Sequence, residues 1–125
     1  MPQSILIIED ERINAEILKL SLEAEGHRVT LASTAEEGLA LARVTAPDIV
    51  FMDIGLPGSV DGIEAVRTMK GSAWFYGRIV CQSGRCTETE VQECLEAGAD
   101  AYMAKPYRRR DILDMVRRFG AAAPG

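Results

Sequence analysis

The sequence has little of what zinc-binding and membrane-spanning proteins depend on. It contains one histidine, His27, and three cysteines, and the spacing of Cys81, Cys86 and Cys94 matches no compact zinc site. We expect these cysteines to be reduced thiols that pack as small apolar side chains. No apolar run approaches the roughly 20 residues of a membrane span, and the N-terminus lacks the features of a signal peptide. A cytoplasmic location is therefore expected.

The sequence also has fewer basic than acidic side chains. The chain has 14 basic and 19 acidic side chains, which gives a formal net charge of −5 at pH 7. Non-specific binding to DNA needs a basic face that neutralises phosphates, so no direct contact with nucleic acid is expected. Arginines at positions 108–110 and 117–118 do concentrate in the last predicted helix, where they form either a solvated face or a patch that binds a partner.

What the sequence does contain is the composition of one globular domain. Its 125 residues are 47% hydrophobic and 26% charged, a mixture typical of a protein with a buried core. Short apolar segments that suit buried strands alternate with segments of helical periodicity. Strands are predicted at residues 4–8, 28–32, 48–52, 78–82 and 100–104. The domain is assigned to residues 1–119, and the short Gly/Ala/Pro segment at 120–125 is predicted to be a flexible tail or linker stub.

Capping signals and apolar spacing predict five helices. Thr34 and Thr87 each precede a glutamate three positions later, which is the capping-box pattern. Gly26 and Gly98 stand where glycines commonly end helices. The apolar residues at helical spacing are Ile13, Ile17, Leu20 and Ala24 in the first helix, Ile63, Val66 and Met69 in the third, Val91 and Leu95 facing inward in the fourth, and Ile112, Val116 and Phe119 in the fifth.

The alternation of strands and helices predicts an α/β fold. Five βα units in series imply a doubly wound parallel sheet with right-handed crossovers and helices on both faces. The order of the strands is not readable from the pattern alone. If the order is 2-1-3-4-5, the first and third strands are neighbours, and ligands bind beyond their carboxyl ends.

Side chains able to do chemistry follow four of the predicted strands: Glu9 and Asp10, Asp53, Ser83, and Lys105. Two like charges about 4 Å apart repel by roughly 4 kcal/mol at an effective dielectric of 20, so three converging carboxylates need a cation. Mg²⁺ suits them because it prefers hard carboxylate oxygens. Any one carboxylate could simply cap a turn, but acids, hydroxyl and lysine at successive strand ends predict a pocket for a tetrahedral dianion attached to a carboxylate. Asp53 would be the nucleophile, and Glu9 and Asp10 would hold the metal.

Five stretches of the sequence carry a family resemblance: ILIIEDE (5–11), MDIGLPG (52–58), DG (61–62), the pair Ser83-Gly84, and GADAYMAKPY (98–107). With these stretches the chain resembles, from end to end, the receiver domain of two-component response regulators. The resemblance implies the flavodoxin-like receiver fold, a five-stranded sheet of order 2-1-3-4-5 with five helices.

The resemblance also implies a role for each matching residue. Asp53 would be the phosphorylation site, and Mg²⁺ (or Mn²⁺) would be held by Glu9, Asp10, Asp53 and the backbone carbonyl of Gly55. Ser83 and Lys105 would contact the phosphoryl oxygens, and Tyr102 would be the aromatic switch residue. The peptide bond before Pro106 would be cis, as it is in the family.

The function implied is that of a signalling switch. A histidine kinase or a histidine phosphotransfer protein would donate the phosphoryl group from a phosphohistidine. The face formed by the fourth helix, fifth strand and fifth helix would then change shape toward a downstream protein or output domain, and it is also the face through which a homodimer could form. Apart from metal-dependent self-phosphorylation and self-dephosphorylation, no enzymatic activity is expected.

Three rival interpretations remain open at this point. A flavodoxin-like cofactor binder would need a phosphate-cradling loop after the first strand, where this chain has three acidic residues. An aspartyl phosphatase would commonly place a second acid two residues after the nucleophile, where this chain has Gly55. A receiver-like interaction module that is never phosphorylated is the third. The segment Trp74-Phe75-Tyr76 is expected to pack against the domain in preference to forming a binding platform.

Overall fold

Alternating strands and helices make up the chain in the computed structural model, which describes residues 2–55, 61–84 and 87–122. Within these residues the elements follow the order β1 (Ser4–Ile8), α1 (Arg12–Ala24), β2 (Arg28–Ala32), α2 (Ala35–Thr45), β3 (Ile49–Asp53), α3 (Gly62–Lys70), β4 (Arg78–Ser83), α4 (Glu88–Glu96), β5 (Ala101–Ala104) and α5 (Arg109–Ala122). Each predicted strand is present within one residue of its expected bounds.

The strands form one parallel sheet of order β2-β1-β3-β4-β5. This confirms the predicted fold class and places β1 and β3 side by side. The register aligns the carboxyl ends of the central strands, with Ile8 opposite Met52 and Asp53 opposite Gln82. Residues that follow these ends therefore meet along one edge of the sheet.

Two apolar layers cover the two faces of the sheet. One layer packs α2, α3 and α4 against residues such as Leu6, Val50 and Cys81. The other packs α1 and α5 against residues such as Phe51 and Val80. Because side chains alternate along a strand, a polar residue at a strand end can be assigned to one of these two layers.

Side-chain caps start three of the helices. The hydroxyls of Thr34 and Thr87 accept hydrogen bonds from the backbone N–H of Glu37 and Glu90, each at 3.1 Å, which confirms both predicted caps. Asp61 caps α3 in the same way, accepting from Glu64 N–H at 2.8 Å. Such caps satisfy N–H groups that have no partner in the first helical turn.

The apolar spacing that predicted α1 does not mark its buried face. Ala15, Leu18 and Leu22 are buried, whereas Ile13 and Ile17 are 78% and 55% exposed, and Leu20 is 65% exposed. The helix carries two apolar stripes, and spacing alone does not say which one faces the sheet. In α4, likewise, Leu95 is 44% exposed rather than inward, because the residue of this helix that faces the core is Cys94. In α5, Ile112, Val116 and Phe119 are buried, which confirms their common face.

The last helix runs past the predicted domain boundary. Residues 120–122, expected in a flexible tail, continue α5, and residues 123–125 lie outside the described part of the chain. The division at residue 119 stays a prediction. No helix in the described ranges combines the length and apolar character needed to cross a membrane.

The aromatic segment between α3 and β4 packs only in part. Phe75 is buried and Trp74 is half-buried, with the Arg43 guanidinium 5.8 Å from the Trp74 ring centre. Tyr76 is 92% exposed, so the expectation of packing fails for that residue. Cys81 and Cys94 are free and buried, as predicted, while Cys86 falls outside the described residues.

Candidate functional site

Three carboxylates converge where β1 and β3 end. Glu9, Asp10 and Asp53 each offer an oxygen, and these oxygens lie within 4.8 Å of one another. Glu9 and Asp53 are buried, whereas Asp10 is exposed to solvent. The neighbouring positions of β1 and β3 in the sheet account for this convergence, because their last residues stand side by side.

Lys105 bridges two of these carboxylates, Glu9 and Asp53. Its Nζ donates hydrogen bonds to Glu9 Oε1 at 2.8 Å and to Asp53 Oδ2 at 3.0 Å. The lysine follows β5, and its backbone N–H donates to the carbonyl of Ser83 at 2.9 Å. The peptide bond from Lys105 to Pro106 is cis.

Burial and mutual contact shift the acid–base properties of the cluster. Burial, followed by the contact with Asp53, raises the pKa of Glu9 to about 7, against the opposing effect of Lys105. Burial disfavours the Lys105 ammonium, but its hydrogen bonds to Glu9 and Asp53 outweigh that effect and raise its pKa. The ammonium is therefore a fixed charge, and three carboxylates against one lysine leave the cluster short of positive charge.

A cavity of about 680 Å³ opens on the other side of Asp53. The backbone N–H of Gly55 donates to Asp53 Oδ1 at 2.9 Å and so orients the carboxylate at the rim. Ser83 ends β4 on the face that carries α3 and α4, and it lines the same cavity. The residues that line it include Asp53, Gly55, Asp61, Ser83, Gly84, Thr87 and Glu90.

Tyr102 on β5 is linked to α4 in this structure. Its hydroxyl donates a hydrogen bond to Glu90 Oε1 at 2.8 Å. Glu90 also lines the cavity beside Asp53, so this one residue of α4 both contacts Tyr102 and borders the pocket of the acceptor aspartate. Sequence reasoning treated Glu90 only as part of a capping box and missed this contact.

The comparison with protein families agrees with this arrangement. The model of the response regulator receiver domain matches residues 5–117. The chain belongs to that family. Receiver domains of this family work in two-component signalling, in which phosphorylation and Mg²⁺ are typical.

The receiver domain has relatives among curated proteins and solved structures. It is 38% identical over 114 residues to the KDP operon transcriptional regulatory protein KdpE of Escherichia coli, covering 91% of this chain and 49% of that protein. A CheY-like receiver domain protein from Methanospirillum hungatei is 31% identical with a TM-score of 0.85, over 94% of this chain and 93% of that one. The chain thus spans about half the length of the curated relatives it matches.

A third similar protein was solved with a metal. The receiver domain of sensor histidine kinase PA1611 from Pseudomonas aeruginosa has a magnesium ion coordinated in its active site cleft. It is 28% identical to the receiver domain described here, with a TM-score of 0.85, and the match covers 95% of this chain and 98% of that one.

The structure brings most of the predicted site residues of the receiver domain together. Glu9, Asp10, Asp53 and Lys105 form one cluster. Gly55 and Ser83 line the cavity next to it. Tyr102 does not join the cluster and packs in the apolar layer that contains α4. The roles assigned to these residues stay predictions.

Proposed function

We propose that this receiver domain accepts a phosphoryl group on Asp53 and uses the aspartyl phosphate as its signalling state. A carboxylate oxygen of Asp53 attacks the phosphorus of a phosphohistidine, the P–N bond breaks, and the departing imidazole nitrogen keeps the electron pair and takes a proton from solvent. The observation that carries this proposal is the placement of Asp53 between the Lys105 ammonium and an open cavity, beside two further carboxylates.

The donor set fits a hard divalent cation, Mg²⁺ or Mn²⁺. Three carboxylate oxygens within 4.8 Å of one another, with one ammonium paired to two of these residues, form a site that favours a further positive charge. Glu9, Asp10, Asp53 and the Gly55 carbonyl would hold the ion. When bound, such an ion neutralises charge that gathers on the phosphoryl oxygens during transfer.

Lys105 and Ser83 would contact the transferred group from two sides. Lys105 already bonds an Asp53 oxygen, so its charge is in place before transfer and need not be reorganised. Ser83 offers a hydroxyl from the opposite face of the sheet, across the cavity. A phosphoryl group on Asp53 would sit between these two groups.

Tyr102 and Glu90 would couple phosphorylation of Asp53 to a change at the protein surface. Movement of the Ser83 hydroxyl toward the phosphoryl oxygens vacates space that the Tyr102 ring can fill by turning inward. That rotation breaks the hydrogen bond to Glu90 and changes the surface formed by α4, β5 and α5. Coupling of this kind is typically worth about 1–3 kcal/mol, enough to shift populations between two states.

The phosphodonor, a histidine kinase or a histidine phosphotransfer protein, would dock beside the pocket on α1. This helix begins at Arg12, two residues after Asp10, and it exposes the apolar side chains of Ile13, Ile17 and Leu20. A partner whose imidazole must reach Asp53 has to cover the surface next to the acidic cluster, and these side chains give it apolar contact area.

The α4-β5-α5 surface would bind the downstream target, an output domain or a second copy of the chain. Exposed Glu88 and Glu93 make α4 acidic, while exposed Arg109 and Arg110 make the start of α5 basic. In a two-fold symmetric pair, α4 of one copy can face α5 of the other with opposite charge. We place the protein in the cytoplasm, as a switch without turnover of a separate substrate.

Mass spectrometry tests the phosphoacceptor function. The wild type is incubated with acetyl phosphate, with Mg²⁺ or with a chelator, and Asp53→Asn and Asp114→Asn are treated in parallel. We expect one phosphoryl group on the wild type and on Asp114→Asn, an exposed aspartate on α5, only when the metal is present. Asp53→Asn should gain none. A wild type that stays unmodified would support the interaction module that is never phosphorylated.

A further inference from the structure

An aromatic groove lies at the end of the sheet opposite Asp53, where β3 and β4 begin. It has a volume of about 370 Å³ and is bordered by the turn before β3, the aromatic segment before β4 and the last turns of α5. Phosphoryl transfer to Asp53 makes no use of this end of the molecule. The apolar and aromatic residues that line the groove are Ala46, Pro47, Ile49, Trp74, Tyr76 and Phe119.

One wall of the groove is the indole of Trp74, which is held in place by two neighbours. The Arg43 guanidinium lies over the indole, 5.8 Å from the ring centre. The ring of Phe75, which is buried, meets the indole edge to face with 6.2 Å between their centres. Both contacts are attractive, so the indole is ordered before any partner binds.

The side chain of Tyr76 stands at the rim of this groove and is 92% exposed. Its backbone is fixed on both sides, because Phe75 is buried and Gly77 is pressed against the turn before β3. Lys70 Nζ donates a hydrogen bond to the Gly77 carbonyl at 3.1 Å, and any side chain at Gly77 would collide with the backbone carbonyl of Pro47. A large aromatic side chain on a fixed backbone loses little conformational freedom when a partner covers it, and such residues often dominate binding.

The groove also carries both signs of charge, since Arg78 and Asp48 line it together. The Arg78 side chain stays 43% exposed beside its ion pair with Asp100. Asp48 is exposed, and its Oδ2 accepts a hydrogen bond from Ser4 N–H at 2.8 Å. The formal net charge of −5 makes copies of the chain repel one another in general. At this groove, by contrast, two copies can meet with opposite charges facing each other.

We propose that this groove is a self-association surface, in which the Tyr76 ring of one copy enters the groove of a second copy of the chain. A closed two-fold contact requires each copy to carry both a projecting group and a cavity that receives it. Tyr76 and the groove meet this requirement within one patch, and Arg78 and Asp48 supply charges of both signs. A two-fold axis beside Tyr76 places each ring over the groove of the other copy.

This contact would join two domains by the ends of their sheets, away from the acceptor site. The acidic cluster of each copy stays open to a phosphodonor, and pairing needs no phosphoryl group because its residues lie at the opposite end. One ring and one groove make a smaller patch than the standard interface, which buries about 1,600 Å² in total. We therefore expect a weak pair, with a dissociation constant in the micromolar range or above.

Sedimentation of the unphosphorylated chain in EDTA, over a range of concentrations, tests the proposal. We expect the wild type to form dimers reversibly as its concentration rises. Tyr76→Ala should raise the dissociation constant by about tenfold or more, because the lost ring occurs twice in a symmetric pair. Tyr76→Phe keeps the ring and should stay within about threefold of the wild type. Both variants should melt like the wild type, because this side chain is exposed.

Leu95→Ala is the matched control, because it trims an exposed apolar side chain on α4, part of the other surface through which two copies could meet. It should pair like the wild type. In a dilution series followed by NMR, the backbone amide signals of residues 46–48 and 76–78 should move, and those of α4 should not.

Three results would each overturn the self-association surface. They are a wild type that stays monomeric up to millimolar concentration, a Tyr76→Ala variant that pairs as strongly as the wild type, and a pair that Leu95→Ala disrupts and Tyr76→Ala does not. None of these results bears on phosphorylation of Asp53, which is measured separately by mass spectrometry.

Discussion

Lys105 is the residue whose charge makes the buried carboxylates tolerable. Its Nζ bonds Glu9 and Asp53, whose side chains are almost completely buried. A lone carboxylate in such a place would take up a proton or destabilise the fold, since removing one partner of a buried pair leaves the other charge uncompensated.

We therefore expect Lys105→Met to be less stable in chelator by about 2–4 kcal/mol, somewhat below the loss for a fully buried pair because the lysine is partly exposed. Mg²⁺ should restore part of the loss, because a bound cation replaces the missing charge. Urea denaturation in EDTA and in Mg²⁺ measures both effects. Lys19→Met, on α1, is the control and should match the wild type in both buffers. Equal stability of Lys105→Met and the wild type in EDTA would contradict this electrostatic role.

At the scale of the helix, α1 presents one apolar stripe to the sheet and another to solvent. If the exposed stripe is the docking surface for the phosphodonor, Ile17→Glu should slow transfer from a phosphorylated histidine-containing protein by about tenfold or more, since a charge would be buried in the contact. Transfer from acetyl phosphate should be unchanged. Folding should change little, within about 0.5 kcal/mol, because Ile17 is exposed.

The control for this helix is Val44→Glu, which adds the same charge to a residue that is 83% exposed on α2. Transfer rates from the protein donor are followed by mass spectrometry of both partners. Equal slowing by Val44→Glu and Ile17→Glu would mean that net charge, and not the α1 surface, governs binding of the protein phosphodonor.

The contact between Tyr102 and Glu90 joins β5 to α4 through one hydrogen bond. Tyr102→Phe and Glu90→Ala should each weaken the docking of α4, and a double-mutant cycle in urea should give a coupling of about 0.5–1.5 kcal/mol, the usual net value of one hydrogen bond. Amide exchange in α4 should quicken in both single variants. Glu93→Ala, exposed on the same helix, should show neither effect. Strictly additive losses would remove Glu90 from the proposed switch.

Sequence patterns predicted where helices begin better than they predicted which side of a helix is buried. Capping signals at Thr34 and Thr87 are local, involving a side chain and an N–H three residues away, so they could be recognised without any tertiary information. The buried face of α1 could not, because apolar residues lie on both of its sides and the choice depends on how the helix crosses the sheet.

The functional site was likewise predictable from the sequence only in part. That the acids and Lys105 follow strand ends was readable from the sequence, and their convergence follows from a parallel sheet. The strand order came from the family resemblance, since nothing local distinguishes the possible neighbours of a buried strand. Gln82 was missed because a glutamine in an apolar strand carries no signal until the register places it beside Asp53 on the neighbouring strand.

Across the whole molecule, the two ends of the sheet do different work. The acidic cluster lies at the carboxyl end of the sheet, while Asp100 forms stabilising contacts at the opposite end. Its carboxylate accepts hydrogen bonds from Lys70 Nζ at 2.6 Å and from Ile79 N–H at 2.9 Å, and it lies 3.3 Å from the Arg78 guanidinium. Asp100 thus ties α3, β4 and the start of β5 together.

Asp100 predicts how stability depends on pH. Burial raises the pKa of Asp100, but the hydrogen bonds from Lys70 and from Ile79 N–H outweigh it, so the pKa is lowered on folding. A lowered pKa contributes stability above the unfolded value of about 3.9, and that contribution is lost as pH falls through the folded value. Asp100→Asn should therefore cost about 1–3 kcal/mol at pH 7 and progressively less below about pH 4.

Chemical denaturation between pH 3 and pH 7 measures this difference. Asp48→Asn is the matched control, because Asp48 is exposed at the same end of the sheet and accepts one backbone hydrogen bond, from Ser4. A difference for Asp100→Asn that grows as the solution becomes more acidic would show that the ion pair is not its source.

The single tryptophan of the sequence is at the same end of the sheet as Asp100. Trp74 shares a groove with Pro47, Gly77 and Arg78, next to the residues that begin β3 and β4, and Arg43 lies over its ring. Its indole is thus an intrinsic fluorescent probe at the end of the sheet opposite Asp53. Quenching of its emission when the acceptor aspartate is modified could not arise by direct contact, so any such signal would have crossed the full length of the sheet.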